Sequence, residues 1–369
     1  MRNITLYKTV SIRKSLFIIL TILFVCLLCS SGFLFYKYIG INESEKAFKD
    51  KIKSLEEENE RLNGNNSEST TKTKFSNATK PIEIDVEYGS GEATHPKVLY
   101  FSEGFNDYKY WMAYTPYYKA QDKYENPVIV VSNDGEKWTT IDGVNTPLDE
   151  PSNFKSGVNY NSDTHLVYND TKKELEVWWR YVEGKKVILY RMITSDGKTF
   201  SDKEVVVESN RDVLDYISPS IIYDNGTYKM WFIFNDKLMY TQSDDLKQWS
   251  NSKELITNYN DDTLNNWHLD VIKDNDEYKM VMSAYYKNNN HVRMNLYYSS
   301  SKNGTDWDDF KVILTPTYAT SNFDNMGIYR SSIVKVNNKY YLYYSAICSN
   351  ESRTIGLIKV SDFKELFFN

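Results

Sequence analysis

The fold is decided by the stretch Ser162-Asp163-Thr164-His165-Leu166-Val167-Tyr168 and by four others that resemble it. Each has a small or polar front half and an aliphatic back half, and each is followed by a turn and an aromatic run. Such self-similarity along a chain is the signature of a repeat architecture. The other four stretches are Thr94-His95-Pro96-Lys97-Val98-Leu99-Tyr100, Ile217-Ser218-Pro219-Ser220-Ile221-Ile222-Tyr223, Trp267-His268-Leu269-Asp270-Val271-Ile272 and Tyr329-Arg330-Ser331-Ser332-Ile333-Val334.

Further strands and a turn motif complete each repeat. Continuous apolar runs such as Met230-Trp231-Phe232-Ile233-Phe234 indicate second strands that are buried on both faces. A third strand then ends in a turn of the type Ser132-Asn133-Asp134-Gly135-Glu136-Lys137-Trp138, and this motif is degraded in the fifth copy, Ser361-Asp362-Phe363-Lys364. Fourth, outer strands are expected after the turns, at 204–207, 253–256 and 311–314.

Four strands that recur five times predict an all-β fold, a five-bladed β-propeller over residues 81–369. A β-sandwich is the alternative. The alternating segment 82–86 is expected to close the ring against the last blade.

Two registers of polar residues fall on the opening strands when their aliphatic halves are aligned. Because strand side chains alternate between faces, residues two positions apart point the same way. Both registers are therefore expected to line the centre of the propeller as stacked rings. The first holds His95, Asp163, Ser218, His268 and Arg330, and the second holds Lys97, His165, Ser220, Asp270 and Ser332.

These rings have two interpretations that the sequence leaves open. One is a polar pocket for a small hydroxylated ligand, since converging polar groups in a concave site commonly bind ligands. The other is a hydrogen-bonded, water-filled channel that holds the blades together. His95, Asp163 and His268 also offer two imidazoles and a carboxylate. The five residues of the first register are expected to lie too far apart around the channel to bind one transition metal. If any ion binds, a hydrated Ca²⁺ that touches His268 is therefore favoured.

Aromatic residues favour a carbohydrate as the ligand. The chain contains 31 Tyr and 8 Trp, and flat aromatic faces suit the C–H surfaces of sugars. Most of them are expected in the core between blades. Trp267 and Tyr329, each beside a ring residue, are placed at the channel mouth.

The N-terminal region predicts a membrane anchor. Residues 15–38 contain a nearly uncharged apolar run long enough to cross a bilayer, and basic residues in 1–14 predict a cytoplasmic N-terminus with the bulk outside. A cleaved signal peptide is the rival interpretation. Residues 42–63 carry a short heptad-like seam, which predicts either a weakly self-associating coiled-coil stalk or a solvated helix. Residues 64–80 are polar and are expected to form a flexible linker.

The charge of the chain argues against nucleic acid as a partner, and its cysteine content argues against a disulfide in the propeller. The formal net charge is −6, although all the charged side chains among the first 40 residues are basic. An acidic bulk argues against nucleic acid as a partner. Cys348 is the one cysteine outside the apolar run, so an intramolecular disulfide is not expected in the propeller.

The chain resembles the five-bladed propeller glycoside hydrolases of the arabinanase, xylosidase, levansucrase and invertase superfamily, nearest glycoside hydrolase family 43. The resemblance covers residues 81–369 and rests on the repeat layout, the turn motif and the order of the ring. It implies that the opening strands present an Asp base, an Asp that tunes the acid and orients the sugar, a Glu acid, a His near a central cation, and an Arg. The matching positions here are His95, Asp163, Ser218, His268 and Arg330.

The base and acid positions depart from that pattern. Glycoside hydrolysis normally uses two carboxyl groups, and Ser218 cannot replace the proton donor. We expect His95 or Asp270 as base and Asp163 as the group that orients substrate. His165, His268, Arg330, Ser218, Trp267 and Tyr329 are expected to bind substrate. The acids Glu92, Glu125 and Asp215 are interpreted as exposed loop residues.

The resulting prediction is a membrane-anchored, extracytoplasmic, glycosidase-like propeller that binds a glycan and, if it is an enzyme, hydrolyses it. The alternative is a non-catalytic carbohydrate-binding or scaffold propeller that has lost its catalytic acids.

Overall fold

The five sequence repeats form five β-sheets in the computed structural model, which describes residues 77–287, 291–317 and 321–367. Apart from the first strand of the chain, the strands of each sheet are paired in sequence order, and consecutive strands are antiparallel. The aromatic second strands lie between the first and third strands, where both of their faces are covered. This confirms the predicted all-β propeller.

The strands of the five blades have the following bounds. Blade one contains β1 (Glu83–Asp85), β2 (Thr94–Phe105), β3 (Tyr108–Thr115), β4 (Val128–Ser132) and β5 (Lys137–Thr139). Blade two contains β6 (Asn159–Asn169), β7 (Glu174–Glu183), β8 (Lys186–Thr194) and β9 (Glu204–Asn210). Blade three contains β10 (Ile217–Asp224), β11 (Thr227–Phe234), β12 (Lys237–Ser243) and β13 (Lys253–Leu255). Blade four contains β14 (Leu264–Asp274), β15 (Glu277–Tyr286), β16 (Met294–Ser301) and β17 (Lys311–Leu314). Blade five contains β18 (Gly327–Val336), β19 (Lys339–Ile347) and β20 (Arg353–Val360).

Short 3₁₀ helices occur in the connections. They span Tyr88–Gly91, Tyr118–Ala120, Asp122–Tyr124 and Phe363–Leu366. The last one takes the place of the degraded fifth turn motif. Asp362 caps it by accepting the Lys364 backbone N–H, while the Glu365 carboxylate accepts the backbone N–H of Asp362.

The innermost strand of each blade contacts the innermost strands of both neighbours. The strand β2 contacts β6, β6 contacts β10, β10 contacts β14, β14 contacts β18, and β18 returns to β2. This closed order brings residues that are far apart in sequence around one centre. It places the two predicted registers where the five blades meet.

The turn motif of one blade packs on an aromatic side chain of the blade before it. The Trp231 indole of blade three donates to the Gly304 carbonyl oxygen of blade four at 2.7 Å, and the Tyr343 hydroxyl of blade five donates to the Gly135 carbonyl oxygen of blade one at 2.9 Å. Gly304 lies at φ 78°, and a Cβ there would approach Trp231 to 2.9 Å. Glycine is therefore needed at this contact for both its backbone and its missing side chain.

The N-terminal strand joins the first and last blades differently from the expectation. The strand β1 pairs in parallel with β5 of blade one, so it is a fifth strand of that blade. The last blade is contacted as well: Ile84 packs in the apolar cluster that contains Ile355, and the N–H of Ile82, just before β1, donates to the Ile355 carbonyl oxygen at 2.9 Å. Upstream, the Asn77 amide donates to Asp324 at 2.7 Å, and the Ala78 N–H donates to the Tyr344 hydroxyl at 3.0 Å. The end of the predicted linker is thus bonded to blade five.

The predicted anchor at 15–38, the stalk at 42–63 and most of the linker lie outside the described residues. Within 77–287, 291–317 and 321–367, no helix has the length and apolarity that crossing a bilayer requires.

Candidate functional site

Every inner strand carries a β-bulge beside its first-register residue. The pairing with the second strand shifts between Ser162 and His165 in blade two, and it shifts at the corresponding place in the other four blades. His95, Asp163 and Ser218 each lie at φ 53°, in the left-handed region that side chains seldom adopt. Bulges bend a strand and re-aim a side chain, and they are common beside active sites. The first register is therefore set by backbone geometry that strand alternation alone did not predict.

The second register forms a closed polar layer around Asp270, which is 1% exposed. Its Oδ1 accepts from Lys97 Nζ at 2.7 Å and from Ser220 Oγ at 3.1 Å. Its Oδ2 accepts from Ser332 Oγ at 3.1 Å and from the Ile333 N–H at 3.0 Å. A carboxylate has about four acceptor sites, so these donors occupy all of them. This geometry gives Asp270 a structural role in place of the expected catalytic one.

His165 belongs to the same buried layer. Its Nδ1 lies 3.2 Å from NH2 of Arg330, and because a guanidinium can only donate, Nδ1 accepts. The ring proton is then on Nε2, which donates to the Ile221 carbonyl oxygen at 3.0 Å. Both ring nitrogens are occupied and the side chain is fully buried. Contrary to the prediction, His165 has no free ring nitrogen for a substrate, and it orients Arg330 instead.

His95, Asp163 and His268 come together from blades one, two and four. Each offers one ligand atom, and these atoms lie within 4.8 Å of one another among buried side chains. His95 Nδ1 is 2.8 Å from the Thr115 hydroxyl, whereas His95 Nε2 and both ring nitrogens of His268 have no hydrogen-bond partner among the described residues. Buried polar atoms normally have partners, so these three nitrogens are open to a ligand. The ring is thus compact enough at this point for one ion, contrary to the expectation that it is too wide.

Arg330 fixes the carboxylate of this group. Its NH1 donates to Asp163 Oδ1 at 3.3 Å, and its NH2 donates to the Pro219 carbonyl oxygen at 3.0 Å. His268 Nδ1 lies 3.8 Å from the same Asp163 oxygen. Arg330 therefore positions Asp163, whereas the sequence predicted that it contacts substrate. Ser218, which is fully buried, accepts the Leu269 N–H at 3.3 Å and so joins blades three and four.

Burial keeps the two central imidazoles neutral. It lowers the pKa of His95 to about 3, although the nearby charge of Asp163 acts in the opposite direction. It also lowers the pKa of His268 well below its usual value, and a proton on His95 and the charge of Arg330 act in the same direction. Neutral imidazoles are the form that binds metal ions. With a pKa this low, His95 is a poor general base at neutral pH, contrary to its predicted role.

Tyr329 and Trp267 lie beside the imidazoles, and both side chains are half-buried. The Tyr329 ring stacks on His95 with centroids 5.2 Å apart, and it meets His268 edge-on at 4.4 Å. The Trp267 indole N–H donates to the Tyr329 hydroxyl at 3.3 Å. His291 stacks on Trp267 at 3.9 Å and covers one face of the indole. These contacts fix the planes of both imidazoles.

Glu125 is buried, whereas the sequence predicted an exposed loop residue. It is 7% exposed, and its Oε1 lies 3.9 Å from His95 Nδ1. Burial raises its pKa well above the usual value, and the charge of Asp163 adds to the shift. The sequence signal is only a turn, Tyr124-Glu125-Asn126-Pro127, in which a buried acid resembles an exposed one. Glu125 therefore places a carboxyl group with a raised pKa at the edge of the site.

Two other acids differ from the expectation of exposed loop residues: Asp215 is buried and Glu92 is half-buried. Asp215 accepts from Arg180 Nε at 2.9 Å and from Arg180 NH2 at 2.7 Å, so its charge is already compensated. Burial raises the pKa of Glu92, against opposing bonds from the backbone N–H groups of Lys119 and Arg353. Neither acid replaces the carboxyl group missing at Ser218.

The sequence was compared with protein families and with curated proteins. No protein-family profile matches the sequence. The A type blood N-acetyl-α-D-galactosamine deacetylase of Flavonifractor plautii is 26% identical over 275 residues, which cover 60% of this chain and 35% of that protein. The chain thus spans about a third of the length of this curated relative.

Solved structures share the fold. An N-acetylgalactosamine deacetylase from F. plautii, in complex with blood group B trisaccharide, has a TM-score of 0.67 and 21% identity, covering 80% of this chain and 98% of that one. An exo-1,5-α-L-arabinanase from a bovine ruminal metagenomic library has a TM-score of 0.53 and 16% identity, covering 75% and 95%. The chain has the fold of the five-bladed propeller glycoside hydrolases. This confirms the resemblance in fold, while the ring of this propeller carries Ser218 and His95 where that resemblance implied carboxyl groups.

Proposed function

We propose that the propeller removes the acetyl group from an N-acetylated sugar of a glycan, with a divalent metal ion held by His95, Asp163 and His268. The observation that carries the proposal is the approach of ligand atoms from three blades to within 4.8 Å, with three imidazole nitrogens otherwise unpartnered among the described residues. The similarity to the F. plautii deacetylase supports the reaction and the substrate class. Imidazole ligands favour a transition ion over the expected Ca²⁺, which prefers six to eight oxygen ligands.

The chain's own residues can perform the remaining steps. A divalent ion in such a site polarises a carbonyl group and lowers the pKa of a bound water. Arg330 holds Asp163 in place, and Tyr329 holds both imidazole planes. A water molecule gives one proton to solvent as its oxygen adds to the amide carbon. The C–N bond then breaks, and the second water proton passes from the acetic acid to Glu125, so that acetate leaves. Glu125, whose pKa is raised by burial, donates the proton that the departing amine nitrogen needs.

Acetate release tests this proposal. The full chain, loaded in turn with Zn²⁺, Mn²⁺ or Co²⁺, is incubated with oligosaccharides that contain N-acetylgalactosamine or N-acetylglucosamine. We expect acetate release that a chelator abolishes and that falls at least about 100-fold in His268→Ala, since loss of a ligand removes the ion. His291→Ala is the matched control, because it removes an imidazole outside the ligand group. Metal-independent release, or equal loss in both variants, would contradict the proposal.

A second candidate is hydrolysis of a glycosidic bond. It is favoured by Glu125, since a carboxyl group with a raised pKa is what a glycosidase acid requires. The same incubations distinguish the two reactions, because this one yields a new reducing end and no acetate. Binding of an oligosaccharide without either product indicates a non-catalytic carbohydrate-binding propeller.

The cellular location is a separate proposal that rests on the sequence of residues 15–38. We propose that this segment anchors the chain and that the propeller lies outside the cell, where glycans are accessible. Protease added to intact cells is expected to digest the propeller. Protection until the cells are lysed would contradict this location.

A further inference from the structure

Arg353 carries a buried positive charge without a carboxylate partner in the described part of the chain. It is the first residue of β20, and its side chain is 9% exposed. Its guanidinium carbon lies 4.6 Å from the centre of the Tyr117 ring, and its NH1 donates to the Glu351 carbonyl oxygen at 3.0 Å. Its Nε has no hydrogen-bond partner, and no Asp or Glu of the described residues forms an ion pair with it.

The other buried arginines of the described residues show what is missing at Arg353. Each of them pairs with an acid: Arg180 with Asp215 at 2.7 Å, Arg191 with Glu176 at 3.1 Å, and Arg330 with Asp163 at 3.3 Å. An unpaired charge is costly to bury, because it loses hydration and gains no partner. Arg353 therefore has the environment of a group whose partner arrives with a ligand.

Arg353 also lies at the edge of the candidate site. Its carbonyl oxygen accepts the Ala93 N–H at 3.1 Å, two residues before His95. Its positive charge lowers the pKa of both His95 and Glu125. Tyr117, over which the guanidinium lies, belongs with Glu125 to the connection between β3 and β4. The guanidinium thus lies where β20 of blade five meets the β3–β4 connection of blade one, close enough for its charge to act on His95 and Glu125.

Glu92 is an acid near Arg353 that could compensate its charge. Burial raises the pKa of Glu92, and the positive charge of Arg353 acts to lower it, so the two side chains lie near each other. Glu92 makes no ion pair with the guanidinium, and its Oε2 has no partner among the described residues. Apart from NH1, which donates to Glu351, the Arg353 side chain therefore keeps donors for a ligand, Nε among them.

We propose that Arg353 binds a carboxylate on the glycan, as in a uronic acid unit next to the N-acetylated sugar. One guanidinium matches one singly charged carboxylate, which it can hold through two parallel hydrogen bonds. A phosphate group carries more charge than a lone arginine compensates. This inference rests on the proposed function only in taking the ligand to be a glycan.

Binding of two matched probes to the full chain tests the inference without any turnover. The first is a tetrasaccharide of alternating N-acetylglucosamine and glucuronic acid, and the second is the same tetrasaccharide with its carboxyl groups reduced to alcohols. We expect calorimetry to show at least about 10-fold tighter binding of the acidic probe, with a preference that salt weakens. Equal affinity, or no binding of the acidic probe, overturns the inference. Stronger competition by N-acetylglucosamine 6-phosphate than by the acidic probe overturns the choice of carboxylate.

Substitutions show whether Arg353 causes the tighter binding of the acidic probe. Arg353→Met is expected to abolish it while leaving the affinity for the reduced probe unchanged, and Arg353→Lys is expected to keep part of it. Lys253→Met removes an exposed cation elsewhere and is expected to change nothing. A preference that survives in Arg353→Met overturns the inference. Absence of acetate release together with an intact acidic preference contradicts the deacetylase proposal alone.

Discussion

The polar residues at the centre of the propeller differ in how many of their side-chain atoms already have hydrogen-bond partners. Asp270 and His165 have all their polar atoms engaged by the protein, whereas His268 has two ring nitrogens without partners among the described residues. All three belong to similar stretches of sequence, and all three are buried. Saturation by hydrogen bonds therefore separates structural residues from candidate ligands, and burial alone does not.

Asp270→Asn tests the structural role of the second register. The amide keeps the shape of the side chain but leaves the Lys97 ammonium buried without a counter-charge. Breaking a buried ion pair in this way typically costs about 3–5 kcal/mol, so we expect a loss of that size in the free energy of unfolding, measured with urea. Asp276→Asn, in the exposed turn of the same hairpin, is the control. Equal stability of the two variants would show that Asp270 is not structural.

His165 also predicts how stability depends on pH. Burial lowers its pKa well below 6.5, and the charges of Lys97 and Arg330 lower it further. Below pH 6.5 the unfolded chain thus binds a proton that the folded chain does not, and stability falls by up to about 1.4 kcal/mol per pH unit from this residue. Urea unfolding between pH 7.5 and 5, in the presence of a chelator, measures the slope. His95 and His268 contribute to the slope in the same way, so we expect His165→Gln to reduce it by up to about 1.4 kcal/mol per pH unit, and an unchanged slope would contradict the assignment.

At the scale of elements, serine side chains join the inner strands of neighbouring blades. Ser332 Oγ of blade five accepts the Val98 N–H of blade one at 3.0 Å, and Ser220 Oγ of blade three accepts the Val271 N–H of blade four at 2.9 Å. Both hydroxyls also donate to Asp270. The inner strands are therefore connected by side chains at positions that backbone pairing does not reach.

Ser332→Ala tests this connection. It leaves the buried Val98 N–H unsatisfied and removes a donor from Asp270, so we expect a loss of about 1–3 kcal/mol in the free energy of unfolding. Ser102→Ala, at an exposed position of β2, is expected to have little effect. If thermal unfolding shows the same midpoint for both variants, the serine contacts between blades do not contribute to stability.

The strands were predictable from sequence because their signals are local. Continuous apolar runs and the repeated turn motif mark them, and the outer strands β9, β13 and β17 lie where expected. The pairing of β1 with β5 was missed because an alternating segment does not specify its partner. The bulges at His95, Asp163 and Ser218 were missed because they break the alternation on which the prediction rested.

At the scale of the whole molecule, the order of the blades makes the site. His95, Asp163 and His268 come from blades one, two and four, so no local motif could have marked them as one group. The sequence predicted their convergence through the repeat, but not their distances or their free nitrogens. Glu125 and Arg353 lie outside the repeated registers, and their burial depends on how connections fold over the ring.

The number of divalent ions that the full chain retains tests the account most directly. Equilibrium dialysis against Zn²⁺, Mn²⁺ or Co²⁺, followed by elemental analysis, is predicted to give one ion per wild-type chain, one per His291→Ala chain and none per His268→Ala chain. Because the ion would join three blades, the wild type should also gain about 2.7 kcal/mol of stability at an ion concentration 100 times its dissociation constant. A wild-type chain that retains no ion, or a His268→Ala chain that retains as much as the wild type, would contradict the account.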